Sequence, residues 1–400
     1  MAFRGRYAAI VEYLYHSMGI EMSDGSDIKE EYFENQATDV EVENVTEEGG
    51  PDEPKPWDPD LIRIHARTFS LRQIVDMIED ADIDLAPDFQ RYFVWKQWQK
   101  SRLIESILLG IPMPSFYFTE DNHAKMQVVD GLQRLSTVFG YARKKDFTLT
   151  DVEYLDEVRG LGFDDLSPAF RRRFNNTQIM AHVIDPQTPY PVKFDVFKRI
   201  NTGGSPLNSQ EIRHCMSGPK ARELLKQCTD LEEFHKATGD KLRNHIRMAD
   251  REVVLRFFAF RIMDLEEYKQ HLSFDSFLGA AIDRIERTSD EERHNLVSSL
   301  KSSMLTAYAV FGDHAFRKWP NGDDRRHPVN RALFETWAVT FADRDRAQIM
   351  HARDTIISHA RAAMKDCEEF IAAISQGTGT IGKVEYRFNK VREIVEDALQ

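Results

Sequence analysis

From Pro219 to the last residue, apolar positions recur every three or four residues, as in "DREVVLRFFAFRIM", "FDSFLGAAIDRIE", "NRALFETWAVTF" and "RAQIMHARDTIISHARAAMKDCEEFIAAI". Strand-like alternation is almost absent there. Upstream, the two periods are interleaved. "LIRIHARTF" alternates, and Ser70 is a suitable N-cap for the helix "LRQIVDMIEDADI". "QWQKSRLIESILL" reads as a helix stopped by Gly110, and "IPMPSFYFTE" and "KMQVVDG" as two strands around the turn "DNHAK". A helix from Leu132 to about Lys145, a short helix "AFRRRF" and a strand "TQIMAHVID" follow, and then helix, glycine loop and helix. Strands with helices, then helices alone, predict an α+β chain: a mixed domain over residues 57–217 and an all-helical domain over 218–400. The length of 400 residues agrees, since one core rarely organises so many.

Charge marks a third segment. Residues 21–60 hold fifteen Asp or Glu against Lys29 and Lys55, which accounts for nearly all of the net charge of -13. The stretch is poor in aliphatic side chains and closed by prolines, so it offers little apolar surface to offset the entropy of ordering. Residues 1–56 are expected to be an acidic, largely disordered arm, in which only "YAAIVEYLYHSMGI" has helical spacing. The near-neutral remainder carries the basic clusters "RKK" at 143–145 and "RRR" at 171–173, so total charge neither demands nor excludes nucleic acid. No apolar run approaches the roughly 20 residues that span a bilayer, and the start lacks a signal-peptide pattern. A cytoplasmic protein with no membrane partner is expected. Cys215, Cys228 and Cys367 have no CxxC pairing, which predicts reduced thiols.

Four stretches could carry chemistry. In "VVDGLQRLST" an apolar strand runs into Asp130 and Gly131, with Gln133 and Arg134 in the first turn of a helix. A helix start offers free N–H groups and the positive end of the macrodipole to an anion, and a carboxylate beside it suits Mg²⁺. The same pattern also fits an ordinary capped turn with solvated neighbours. "PDFQRYFVW" sets Gln90 and Arg91 among four aromatics, which fits either an anion contact or an arginine stacked on core rings. "FKRINTGGSPLNSQEIR" flanks Gly203 and Gly204 with Arg199 and Asn201, and Ser209 begins the next helix; the spacing is not that of a Walker A loop. In "LIESILL", Leu103, Ile104, Ile107 and Leu108 define the buried face and leave Glu105 toward solvent. "RRHPVNRALF" lacks the second histidine of a nuclease metal site and reads as a helix start interrupted by proline.

Taken together, "PDFQRYFVW", "LIESILLGIPMPSFYF", "VVDGLQRLSTVFGY" and "FKRINTGGSPLNSQEIR" resemble, in unbroken order over residues 61–215, the amino-terminal domain of GmrSD-type restriction endonucleases. The resemblance implies a small ParB/sulfiredoxin-like mixed fold that binds a nucleoside triphosphate and hydrolyses it with Mg²⁺ or a similar divalent metal. The DGQQR signature of the family falls on Asp130, Gly131, Leu132, Gln133 and Arg134, with leucine where glutamine is usual. Its FQR block falls on Phe89, Gln90 and Arg91, and its INxxG block on Ile200, Asn201 and Gly204. Asp130, Gln133 and Arg134 are thereby expected to be catalytic, and Asp130, with Glu105 as a second candidate, to hold the metal. Gln90, Arg91, Gly131, Arg199, Asn201, Gly203 and Gly204 are expected around the nucleotide, with Arg91, Arg134 and Arg199 converging on its phosphates. The resemblance further implies a role in bacterial defence, with DNA as a partner and a separate nuclease subunit, and the helical half is a candidate for reading DNA, contacting that subunit or self-association. Two other readings stay open: a nucleotide switch without turnover that docks a partner, and a DNA-nicking domain regulated by nucleotide.

Overall fold

The computed structural model describes residues 28–33, 36–43, 61–85, 95–121, 123–200, 207–271 and 273–400. Its strands are β1 (Glu30–Phe33), β2 (Gln36–Glu41), β3 (Ile64–Ser70), β4 (Ile83–Asp84), β5 (Phe116–Glu120), β6 (Met126–Asp130) and β7 (Gln178–Ile184). Interleaved with them are α1 (Leu71–Glu79), α2 (Gln97–Leu109), α3 (Leu132–Phe139), α4 (Pro168–Asn176), α5 (Tyr190–Ile200) and α6 (Ser209–Met216). Helices alone follow: α7 (Pro219–Thr229), α8 (Glu232–Thr238), α9 (Ala249–Ile262), α10 (Leu265–Tyr268), α11 (Phe274–Arg287), α12 (Asp290–Phe311), α13 (Arg331–Ala342), α14 (Arg346–His351), α15 (Arg353–Asp366), α16 (Glu368–Ser375) and α17 (Ile381–Leu399). The α+β architecture read from the change of period is the one observed.

β3 to β7 form one mixed sheet in the order β3-β7-β5-β6-β4. β3/β7 and β5/β6 are antiparallel, while β5/β7 and β4/β6 run parallel. Ser70 caps α1 as its chemistry suggests, accepting the Gln73 N–H at 3.2 Å, and Gly110 ends α2 in the left-handed region at φ 79°. Leu71, Ile74, Ile104, Leu108, Leu135 and Phe174 bring α1 to α4 onto one face of the sheet, against Phe116, Phe118 and Val183. On the other face a smaller cluster joins Val129 and Ile184 to Phe194 and Phe197 of α5 and Ile212 and Cys215 of α6. Asn330, in the proline-interrupted "HPVN" stretch, caps α13 by accepting the Leu333 N–H at 2.8 Å. Among the described residues no helix is long and apolar enough to cross a membrane. The three cysteines are free, and burial pushes the Cys215 and Cys228 thiols up to about 12, so neither supplies thiolate at neutral pH.

The acidic arm departs from expectation. Residues 28–33 and 36–43 are not disordered: β1 and β2 form an antiparallel hairpin seated on the helical half. Val40 is fully buried in the helical core, and β2 exchanges backbone hydrogen bonds with Val329, Glu41 N–H to Val329 O at 2.9 Å and Val329 N–H to Asp39 O at 2.8 Å. Asp39 accepts both guanidinium nitrogens of Arg317 at 3.0 and 2.8 Å, and Glu31 those of Arg331 at 2.9 and 3.2 Å. Glu43 likewise pairs with Arg256 at 2.9 and 2.7 Å, and Glu41 with Lys318 at 2.5 Å. Composition failed here for a physical reason: it measures the apolar surface a segment brings, whereas this hairpin is held by basic side chains far along the chain. The remainder of the arm, including "YAAIVEYLYHSMGI", lies outside the described residues.

Candidate functional site

The sequence places Asp130 at the end of β6, and the sheet presents it through an irregularity. Phe118 pairs with Val128 but Tyr117 pairs with Asp130, so one extra residue is accommodated at Val129. Such bulges re-aim side chains at strand ends. Gly131 then turns the chain at φ 98°, and an added Cβ would meet Phe116 Cδ1 at 2.3 Å, so both backbone angle and space require glycine. Among the described residues no side chain caps the start of α3, which leaves its first-turn N–H groups for solvent or an anion.

Arg134 is held from four sides. Its Nη1 donates to Pro114 O at 2.5 Å, its Nη2 to Ser115 O at 3.2 Å and to Asp130 Oδ2 at 2.9 Å, and the guanidinium lies 4.3 Å from the centre of the Phe116 ring. Burial draws its pKa below the ordinary guanidinium value against the pull of Asp130, yet arginine remains a cation at neutral pH. The side chain of Arg134 is 12% exposed and that of Asp130 40%, so the open member of the pair is the carboxylate. Arg134, expected as a phosphate clamp, here fixes the orientation of Asp130.

Gln133 Oε1 accepts the Trp95 N–H at 3.3 Å, which ties the end of the aromatic stretch before α2 to the first turn of α3. Gln90 and Arg91, earlier in that stretch, lie outside the described residues, as do Asn201, Gly203 and Gly204. Leu132, where the signature has glutamine, packs against the clusters on both faces of the sheet, which accounts for an apolar residue there. Arg199 is exposed in the last turn of α5, a helix docked through Phe197 beside Val129. Of the three arginines expected to converge, the structure brings Arg134 to the turn and leaves Arg199 exposed on the neighbouring helix.

Beyond the glycine loop the reading from sequence started α6 at Ser209 and missed Asn208. Asn208 Oδ1 accepts the Glu211 N–H at 2.8 Å, Glu211 Oε2 accepts the Asn208 N–H at 2.6 Å, and Asn208 Nδ2 donates to Arg247 O at 2.9 Å. The N-x-x-E spacing is the signal that carried this box. Burial pushes the Glu211 carboxyl up to about 7, against the Arg247 guanidinium 3.2 Å away.

Glu105 requires a correction. It is buried on α2, and Oε1 accepts the N–H groups of Glu153, Tyr154 and Leu155 at 2.9, 2.6 and 2.8 Å, while Oε2 accepts from Glu153 at 2.9 Å. Helical spacing could not reveal the loop that covers this side. Both oxygens accept backbone donors, so Glu105 anchors that loop and is not the solvated carboxylate that helical spacing suggests. Burial acts to raise its pKa, but the three N–H donors outweigh that and hold it below the ordinary 4.5. A depressed carboxyl stabilises the fold above its unfolded pKa and loses that contribution as pH falls through the lower folded value. Glu105→Ala is therefore expected to cost about 3 kcal/mol at neutral pH in urea unfolding. The deficit should shrink below about pH 4. A variant as stable as the parent at pH 7 would count against the anchoring role.

One further pair at the site was not foreseen. Tyr117, beside Asp130 in register, stacks on His182 of β7 with ring centroids 4.9 Å apart and planes 26° from parallel. Alternation in "PSFYF" puts Tyr117 opposite Phe116 and Phe118, which is the sequence signal that was available.

Residues 71–216 match the family model described as "GmrSD restriction endonuclease, N-terminal domain". No curated protein and no solved structure matches the chain. The matched span runs from the first residue of α1 to the last of α6 and contains the Asp130–Arg134 turn, the Gln133–Trp95 link and the capped start of α6. Residues 71–216 thus form a domain of the GmrSD restriction endonuclease N-terminal family.

Proposed function

We propose that the β6–α3 turn binds the phosphates of a nucleoside triphosphate and hydrolyses it, and that this turnover gates a DNA-directed restriction activity. The observation that carries the reading is the pairing of an uncapped helix start with a carboxylate held at its mouth by Arg134. The helix start suits a phosphate. A magnesium ion on a nucleotide needs one or two protein carboxylates, the phosphates supplying the rest. The donor set fits: Asp130 Oδ2 is taken by Arg134, and no hydrogen bond to Oδ1 occurs among the described residues. Asp130 would hold the divalent ion, which supplies electrophilic assistance to the phosphoryl group. Arg134 keeps that carboxylate in place, Gln133 links the turn to the stretch carrying Gln90 and Arg91, and Arg199 lies at the end of α5, toward the glycine loop.

The test is phosphate release from a panel of nucleotides and metals, with and without phage or modified DNA. Asp130→Ala is expected to lower turnover on the order of 100-fold, as removal of a group acting in the chemical step does. Arg134→Lys, which keeps the charge but loses the paired donors, should lower it less than Arg134→Ala. Turnover unchanged in both Asp130→Ala and Arg134→Ala would sink the assignment. Tight nucleotide binding with no product release would instead favour a switch.

A further inference from the structure

Strand register sets four residues in one row across the sheet. Asp130 in β6 is the partner of Tyr117 in β5, Tyr117 of His182 in β7, and His182 of Ala66 in β3. One face of the His182 ring is covered by Tyr117. On its other side the row ends at Ala66, an exposed methyl on the edge strand, so no longer side chain from that row fills the space beside the imidazole. The next row outward, Thr68 opposite Met180, is also open, with Met180 45% exposed. At the other end of the same face, Val129 and Ile184 are closed over by α5 and α6. Among the described residues this part of the sheet is uncovered, an open-sided slot with a methyl floor, an aromatic wall and a hydroxyl at its rim.

We propose that this slot takes the nucleobase of the nucleotide whose phosphates bind at Asp130; the inference rests on the function proposed above. A base offers a flat face to stack on the exposed side of His182, and Tyr117 backs the imidazole from behind. The reach is right. Adjacent strands are about 4.8 Å apart, so three steps from Asp130 to Ala66 cover about 14 Å, comparable to an extended nucleoside triphosphate. Stacking tolerates any base because each has a π-face, so discrimination among bases at this slot is weak.

Calorimetric titration of the full chain with ATP, GTP and inorganic tripolyphosphate, each with Mg²⁺, tests the slot. His182→Ala removes the wall, and Ala66→Trp fills the space from an exposed edge position where folding is not at stake. Each is expected to weaken both nucleotides by roughly tenfold while leaving tripolyphosphate affinity unchanged. Equal weakening of tripolyphosphate, or no weakening of the nucleotides, overturns the proposal while the phosphate site stands. If the unaltered chain binds neither nucleotide nor tripolyphosphate, the proposed function fails and the slot with it. A dimer seen by sedimentation that Ala66→Trp dissociates, at unchanged nucleotide affinity, would reassign this face to self-association and overturn the proposal.

Discussion

A chain shortened to begin at residue 61 is expected to lose cooperative folding of its helical half. The hairpin formed by β1 and β2 and the residues just after it supply the carboxylates paired with Arg317 and Lys318, and share Arg331 and Arg256 with Glu252 of α9, all four cations being buried. Removing one partner of a buried ion pair costs about 3–5 kcal/mol because the other charge stays desolvated. Two such losses, at Arg317 and Lys318, together with the removal of buried Val40, rival the roughly 5–15 kcal/mol by which a domain is stable at all. The shortened chain should therefore aggregate or melt without a sharp transition, as followed by far-UV circular dichroism. A graded version isolates the electrostatic part. Asp39→Ala alone should lower stability by about 3–5 kcal/mol, whereas Asp39→Asn, which tolerates the left-handed backbone at φ 60°, combined with Arg317→Met should recover much of it because no buried orphan charge remains. A shortened chain that melts like the full one would show the hairpin to be dispensable.

Gly131→Ala should be the most damaging single methyl in the mixed domain. It places a side chain at φ 98° and drives its Cβ to 2.3 Å from Phe116 Cδ1, an atom of a fully buried ring. A residue other than glycine in that backbone region costs at least about 1 kcal/mol, and overpacking a core adds about 1–3. A loss of about 2–4 kcal/mol in urea unfolding follows from the two together. Phe116 also lies beneath the Arg134 guanidinium, so its displacement disturbs the Asp130 pair. Turnover should fall further than the loss of folded protein explains. Phe116→Leu in the Gly131→Ala background, which removes Cε1 and lets the remaining δ-carbons rotate away from the added methyl, should restore part of the stability. Failure to do so would assign the damage to backbone strain alone.

The parts of this fold legible in the sequence are those governed by local rules. Ser70 and Gly110 announce the start of α1 and the end of α2, and alternation in "MQVVD" against helical spacing in "LQRLSTVF" locates the β6–α3 turn. Illegible parts depend on distant partners. Glu105 reads as solvated because nothing in "LIESILL" reports the loop at 153–155 that donates to it. The row of Asp130, Tyr117 and His182 depends on β5 lying between β6 and β7, an order that no strand states by itself. Arg134 is recognisable as a residue with a purpose, but whether it faces a ligand or its own neighbours depends on the carbonyls of Pro114 and Ser115, 20 and 19 residues away.

The hairpin also sets an order of events during biosynthesis. Asp39 and Glu31 find their arginines 278 and 300 residues later. At translation rates of about 5–20 residues per second the first strands leave the ribosome roughly 15–60 s before those partners exist. Until then an acidic, unpaired strand edge is held in reserve while the mixed domain, whose sheet contacts all lie between Ile64 and Ile184, is free to form. The helical body closes last, when Arg317 and Arg331 capture a hairpin made long before them.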